Sequence, residues 1–520
     1  MKGIFMRIIK TCGKVLLMVI VIIAVVIAIA FLFLKFYPTV GRTPGKAERE
    51  SYAVRTTSYY DGQFHNENDF SVMTGTQAEK SDMSVPRETI PTEKLENVGR
   101  AAEGELRVTW LGHSSSLIQL GEQNILIDPV MGKRSSPVSF AGPKRFSEVA
   151  LSAENVPEID VLFISHDHYD HLDYDVIRAI DGRVDHYIVP LGVEVILKGW
   201  GVEEAKLHPL AWWESLELKG VTYTLIPAQH YTGRNPLKAN AALWGGLYMQ
   251  DAAHSVYYTG DTGYYDVFAR VFERFGETDL MLADAGQYDP AWAQTHMFPE
   301  EAVQAALDAH AKVLLPVHWG AYSLSNHAWY DPPERVAAAA EAAGLSLATP
   351  RIGQTADYEE IGSFNEHWWE QYKDPDSTDE LPVNAGPSSD TTLQTEEQET
   401  EGMGQELKLM IGDQEVSVVW EDNESVDALR ELVRSGPLTI SMSMYGGFEQ
   451  VGPIGTSLPR NDVQTVTEEG DIVLYAGNQI VVFYGANSWA YTRLGRITDQ
   501  ALDLKELLGN GDVEITLLIR

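Results

Sequence analysis

The longest uninterrupted apolar run, Val15–Leu34 (VLLMVIVIIAVVIAIAFLFL), has no charge and no strong helix breaker. Twenty helical residues at about 1.5 Å each span about 30 Å, the thickness of a bilayer's hydrocarbon core. A cleavable signal has a shorter apolar stretch ending at a small-residue site. Ala28-Ile29-Ala30 has that look, but four more apolar residues follow it, so an uncleaved anchor over residues 1–37 is the expectation. Residues 38–100 are punctuated by Pro, Gly and Ser, are weakly periodic, and read as a stalk and lead-in. From Arg107 short apolar runs alternate with turns: Arg107–Trp110, Ser116–Leu120, Asn124–Ile127, Val161–Ser165, Asp185–Val189, Thr222–Pro227, Ser255–Thr259, Asp279–Ala283 and Val313–Pro316. Helical runs such as Ala302–His310 and Pro333–Ala343 lie between or after them, and this alternation over residues 101–372 predicts an α/β layered domain. Residues 373–405 are acidic, poor in apolar positions and aperiodic, which predicts a linker. Residues 406–520 change texture again: LKLMIG, VSVVW, LTISMSMYGG, DIVLYAG, QIVVFYG and EITLLI read as strands, and Val426–Arg434 as a helix, predicting a small all-β barrel or sandwich.

Composition narrows the chemistry. The chain has 520 residues, 39 Lys and Arg against 75 Asp and Glu, and a formal net charge of −36. Such a surplus of acid argues against nucleic acid as a partner. The one cysteine, Cys12, excludes an intrachain disulfide and a cysteine-based metal site, so any cation must be held by His and carboxylate. Lys2, Arg7, Lys10 and Lys14 precede the apolar run with no acid among them. A cationic start favours a cytoplasmic amino terminus and an extracytoplasmic bulk, in a single-pass protein of the cell membrane. Lys35, Arg42, Lys46 and Arg49 follow the run and weaken that asymmetry.

The chemistry-bearing pattern is S-H-D-H-Y-D-H at Ser165–His171, directly after the apolar strand. Ligands on a loop leaving a strand are held by a rigid scaffold yet open to solvent. His166 and His168, two apart, can aim at one ion, while Asp170 and His171 in the following turn can aim at a second. Imidazole and carboxylate suit zinc-type ions. Three later positions follow strands in the same way: His230 in P-A-Q-H-Y-T-G-R, Asp261 in Y-T-G-D-T-G and His318 in L-P-V-H-W-G. Singly, each is as well explained by structure or by a tight turn; in order along one α/β unit, they point to a metal centre.

On these residues the chain resembles the metallo-β-lactamase superfamily over about residues 53–365. Within it the chain looks most like the N-acylphosphatidylethanolamine phospholipase D branch. That likeness rests on D-G-Q-F-H-N (Asp61–Asn66), T-W-L-G-H-S-S (Thr109–Ser115), F-A-G-P-K-R-F (Phe140–Phe146), T-H-M-F-P-E-E-A (Thr295–Ala302) and P-R-I-G (Pro350–Gly353), beside the two histidine motifs. Gln354 departs from the pattern, where the family tends to have Glu. The resemblance implies an αββα sandwich with two divalent metal ions, of zinc type, at the sheet edge. It assigns His166, His168 and His230 to the first ion, Asp170, His171 and His318 to the second, and Asp261 to both. It further implies that Asp170 and His296 take part in catalysis, and that His113 and Arg234 reach the substrate. The bland alternatives are a helix-entry polar residue for His296, a structural histidine for His113 and a surface arginine for Arg234. Abundant tryptophans (Trp212, Trp213, Trp292, Trp319, Trp329, Trp368 and Trp369) read first as core and second as an acyl-chain groove.

The implied activity is a phosphodiesterase of phospholipase D type acting on N-acyl-phosphatidylethanolamine-like lipid or related phosphate esters. The alternatives are a lactonase or other ester or amide hydrolase on the same centre, and a surface binding protein with an inactive site. Residues 406–520 resemble the bacterial cyclophilin-like barrel family through S-M-S-M-Y-G-G-F-E, G-T-S-L-P-R-N-D and W-A-Y-T-R-L-G-R-I. The Phe-x-Arg signature of true cyclophilins is missing there, so a binding or spacer role is expected rather than prolyl isomerisation.

Overall fold

The computed structural model describes residues 2–373 apart from 69 and 75–76, and most of 407–519 apart from short stretches between strands. The acidic linker expected over 373–405 therefore lies, beyond Lys373, outside the described residues. The chain divides into two compact units on either side of that segment.

The first unit begins with the helix Lys2–Phe36, of which Met18–Phe36 is 19 residues long and apolar enough to cross a membrane. Two seven-stranded sheets follow. The first runs, from edge to edge, 355–357, 106–110, 116–120, 123–127, 159–163, 184–190 and 207–210. The second runs 346–347, 311–317, 278–284, 255–258, 246–250, 221–226 and 215–218. One core joins the inner faces of the two sheets, with Leu117, Ile125, Leu162, Tyr187, Leu225, Leu247 and Leu282 fully buried. A second, alanine-rich core lies where the helices Val267–Phe275, Pro299–Asp308 and Asp331–Ala343 cover the second sheet. The α/β expectation and the αββα sandwich are both observed.

Direction in the sheets explains why one edge can hold a site. In the first sheet the strands ending at Trp110, Ile127 and Phe163 run the same way, because two successive antiparallel pairings return the chain to its starting direction and the next pairing is parallel. In the second, the strands ending at Ile226, Tyr258, Asp284 and Val317 share a direction for the same reason. Carboxyl ends of strands thus gather on one edge of each sheet, and every candidate ligand follows one of them.

The segment expected as a stalk and lead-in packs against this unit. Helix Lys46–Arg55 and the hairpin Tyr59–Tyr60 with Gln63–Phe64 bring Tyr52, Tyr59 and Phe64 into the shared core, joined by Met83 and Ile90. These apolar residues are too widely and irregularly spaced to show a period. Trp319, Trp329, Trp368 and Trp369 are buried, as the core reading expects, and Trp110 packs 4.7 Å from Trp319.

The second unit is all-β apart from Glu424–Leu432 and a short helix Leu504–Leu508. Its sheet follows the order 414–416, 407–411, 513–519, 438–445, 449–453, 479–483, 471–475, 488–497 and 418–420, with 463–466 beside 488–497. The two ends of that path, Gln414–Val416 and Val418–Trp420, are separated by one residue in the chain, so the sheet curls round on itself as a barrel. Leu409, Val426, Leu429, Ile472, Ile480 and Leu517 fill its interior. Asn423 caps the helix by accepting from the Val426 N–H at 3.0 Å.

At the sheet edge remote from the ligand loops, Asp160 is 2% exposed and accepts from Arg100, from Lys219 Nζ at 2.7 Å and from the Asn124 N–H at 3.0 Å. Burial alone would raise its carboxyl pKa, but these donors outweigh it and hold the group below its usual range. Its contribution is therefore present above the unfolded-state pKa of about 3.9 and is lost as pH falls through the lower folded-state value. Asp160→Asn should cost about 1–3 kcal/mol at neutral pH in urea unfolding. The gap to the parent should close as pH falls below about 4.

Candidate metal centre

The His166–His171 loop is shaped by a carboxylate that sequence reading passed over. Asp128, fully buried at the end of strand Gln123–Ile127, accepts from the Ser165 N–H at 2.7 Å, the Ser165 hydroxyl at 2.6 Å and the Tyr258 hydroxyl at 2.7 Å. It also accepts from His171 Nδ1 at 2.8 Å, which leaves His171 Nε2 as the free ring nitrogen. The loop's other side is tied down by Asp167, whose Oδ1 accepts from the Gly233 and Arg234 N–H groups at 3.1 and 3.3 Å.

His230 is held by the lead-in. Asn66 accepts from the His230 N–H at 3.0 Å and donates to the His230 carbonyl at 2.8 Å, while His230 Nδ1 lies 3.2 Å from the Thr295 carbonyl. His318 sits with φ of 69°, facing His113 with φ of 56°. The His318 N–H donates to the His113 carbonyl at 3.0 Å, and the His113 N–H to the Trp319 carbonyl at 2.7 Å, so the two sheets are stitched together at the site. Left-handed backbone at two non-glycine residues is strain concentrated at a functional position. Gly286 makes the approach possible: a Cβ there would fall 1.8 Å from the His318 carbonyl oxygen.

All seven side chains singled out from sequence come together. His166, His168 and His230 form one cluster, with His168 Nδ1 2.9 Å from His166 Nε2 and 3.3 Å from His230 Nε2. Asp170, His171 and His318 form another, with Asp170 Oδ2 3.4 Å from both ring Nε2 atoms. Asp261 Oδ2 lies between them, 3.1 Å from His171 Nε2, 3.4 Å from His318 Nε2, 3.7 Å from His166 Nε2 and 3.9 Å from His230 Nε2. Within each cluster the possible donor atoms lie within 4.8 Å of one another.

The donor set fits a pair of divalent cations. His171 Nε2 and Asp261 Oδ1 are buried without a hydrogen-bond partner. Burial, and then neighbouring imidazoles, push His166 well below its ordinary range. Burial likewise lowers His168, and lowers His230 far more. These three rings are therefore neutral and can offer a lone pair. His171 and His318 behave oppositely. Burial would lower both, but Asp261 with Asp170 overrides it at His171, and Asp261 with Asp284 raises His318 to about 10. The carboxylates demand a positive charge at this point, whether proton or metal ion.

A second carboxylate missed in the sequence is Asp284, fully buried at the end of its strand. Its Oδ1 accepts from His318 Nδ1 at 3.0 Å and its Oδ2 from His296 Nδ1 at 2.8 Å. His296 thus stands at the centre, its ring 5.0 Å from that of His318 and 5.2 Å from that of His230. The signal for Asp128 and Asp284 was the same strand-then-acid pattern, in I-L-I-D-P and M-L-A-D-A, without a histidine to mark it.

The structure places the two residues expected at the substrate as follows. His113 is wholly buried and its Nε2 donates to Asp170 Oδ2 at 2.9 Å, the structural alternative for that residue, in which it positions a candidate ligand. Arg234 is 3% exposed and spends Nε and Nη1 on the carbonyls of Thr39, Asp167 and Leu172. Its guanidinium lies against Tyr169 and Trp200 at 4.2 and 5.0 Å and is buried rather than on the surface.

Residues 123–319 match the beta-lactamase superfamily domain, and residues 409–518 the cyclophilin-like family. An uncharacterized protein of Mycobacterium tuberculosis is 35% identical over 347 residues, covering 63% of this chain and 92% of its own length. The N-acyl-phosphatidylethanolamine-hydrolyzing phospholipase D 1 of Caenorhabditis elegans is 34% identical over 265 residues, 49% of this chain and 74% of the relative. The mitochondrial N-acyl-phosphatidylethanolamine-hydrolyzing phospholipase D of Saccharomyces cerevisiae is 32% identical over 278 residues, 51% of this chain and 58% of the relative. Fold, donor set and relatives agree: the chain belongs to the metal-dependent hydrolases of the beta-lactamase superfamily, on the branch of the N-acyl-phosphatidylethanolamine-hydrolyzing phospholipases D, with a cyclophilin-like domain at its carboxy-terminal side.

Proposed function

We propose that this protein is a membrane-anchored, two-zinc phosphodiesterase that cleaves N-acyl-phosphatidylethanolamine or a closely similar lipid on the headgroup side of phosphorus. The observation that carries the reading is Asp261, whose Oδ2 is within 4 Å of imidazoles from both clusters and so suits a bridge between two ions. His166, His168 and His230 would hold one ion and Asp170, His171 and His318 the other. Such a pair supplies Lewis-acid polarisation of a phosphoryl oxygen and brings the pKa of a water towards neutrality.

The chain's own groups do the rest. Asp170 Oδ2, fixed by His113, orients the attacking water while holding its ion. His296 donates through Nδ1 to Asp284, which locks the ring; as the imidazolium it would protonate the departing oxygen through Nε2, and the proton shed by the attacking water would restore it. The apolar helix supports a lipid substrate by keeping the site at a bilayer, with the two folded units outside the cytoplasm.

Purified full-length chain, incubated with N-acyl-phosphatidylethanolamine, should release N-acylethanolamine and phosphatidate. Release confined to lactones or β-lactams would replace this reading with the amide or ester hydrolase alternative. Asp261→Asn should lower bound zinc to at most one ion per chain and cut turnover by about a hundredfold or more. His296→Ala should keep its zinc and lose about 10²–10⁴-fold in kcat. Zinc lost along with the activity would instead make His296 a ligand.

A further inference from the structure

The point where the apolar helix meets the folded domain is rigidly built. Trp200 Nε1 donates to the Pro38 carbonyl at 2.8 Å, Arg234 Nε to the Thr39 carbonyl at 2.6 Å, and the Thr39 hydroxyl to the Pro137 carbonyl at 2.9 Å. Val40 is buried, and Gly41, with φ of 78°, passes so close to Ile196 that a Cβ would lie 2.7 Å from it. Two loops flank this junction. Residues 134–144 form a loop closed by the Arg134–Lys144 bridge and the Arg134 hydrogen bond to the Gly142 carbonyl, and its tip carries Phe140, 82% exposed. Residues 235–238 lie against residues 42–44 across a small shared cavity and carry Leu237, 61% exposed.

Each apolar tip is three residues from a residue hydrogen-bonded to Thr39 (Pro137 or Arg234), and Thr39 is itself three residues past Phe36. Three residues of chain reach at most about 11 Å. Both tips therefore flank the point where the helix would leave a bilayer, within reach of its surface.

Charge singles out the same face. Residues 35–47, 129–147 and 232–250 contain Lys35, Arg42, Lys46, Lys133, Arg134, Lys144, Arg145, Arg234, Lys238 and not one Asp or Glu, in a chain with 75 acids. Arg42, Lys133, Lys144 and Lys238 are exposed and form no ion pair among the described residues. Asp167 and Asp173 reach this junction from the histidine loop, but both are spent on backbone N–H groups, so basic segments around two exposed apolar side chains, on a protein of net charge −36, match an anionic leaflet.

We infer that the loops tipped by Phe140 and Leu237 dock into an anionic bilayer surface around the anchor and set the hydrolase domain in a fixed pose on it. Arg234 links that pose to the chemistry, because the guanidinium that ties Thr39 also holds the carbonyls of Asp167 and Leu172 at the two ends of the histidine loop. The inference rests on the anchor reading above, and the test separates the two.

The full chain, with Cys12→Ser, is reconstituted in phosphatidylglycerol–phosphatidylcholine vesicles and spin-labelled singly through Val25→Cys, Phe140→Cys, Leu237→Cys or Leu307→Cys. Labels at 140 and 237 should be about fivefold or more less accessible to an aqueous relaxation agent than the label at 307, and should lose that protection in pure phosphatidylcholine when Lys133, Lys144 and Lys238 are changed to Glu. Protection at 25 with exposure at 140 and 237 overturns the docking face and leaves the anchor standing. Exposure at 25 overturns both.

Discussion

Four carboxylates, Asp128, Asp170, Asp261 and Asp284, share one pocket, and among the described residues none of them has a Lys or Arg partner. Three are essentially without solvent contact. Charge in such a place is tolerated only when paired or when it binds metal. Histidine is what the fold supplies, and histidine can answer either with a proton or with a lone pair towards a cation. The opposed behaviour of the rings follows from this: at His166 and His230 burial and neighbouring imidazoles outweigh Asp261 and lower the rings, whereas at His171 and His318 two carboxylates outweigh burial and raise them.

The architecture serves that pocket by geometry of direction. Strands that share a heading deliver seven loops to one edge, and the His113–Trp319 bridge closes the seam between the sheets. The outer layer of polar groups then decides which nitrogen each ring presents: Asp128 takes Nδ1 of His171, Asp284 takes Nδ1 of His318 and His296, and Thr295 takes Nδ1 of His230. Each leaves Nε2 facing inward, the arrangement by which proteins orient metal-binding histidines.

The seven clustered residues were legible because one loop joins three His and two Asp right after an apolar strand, and a single His or Asp follows three later strands in order. Asp128 and Asp284 were not, since a lone acid after a strand is as often a turn residue. The packing of region 38–100, expected as a stalk and lead-in, was illegible for a different reason. Tyr52, Phe64 and Ile90 enter the core from a helix of low apolar content, a two-residue hairpin and an irregular stretch, none of which sustains a period. Arg234 was misread because spacing places it near the site, while only packing reveals which way its guanidinium is spent. Strand Gly246–Gln250 is masked in the sequence by its glycines, although Gly246 is required where the backbone passes Tyr258 and Thr259, and Gly245 where it passes Ile226.

The central claim, a pair of cations held by imidazole and carboxylate on either side of Asp261, is open to X-ray absorption spectroscopy on the zinc-loaded full-length chain. The account predicts nitrogen and oxygen scatterers only, several of them imidazole, together with a metal–metal path that disappears in Asp261→Asn. A spectrum of isolated ions with no metal–metal path in the parent chain would contradict it.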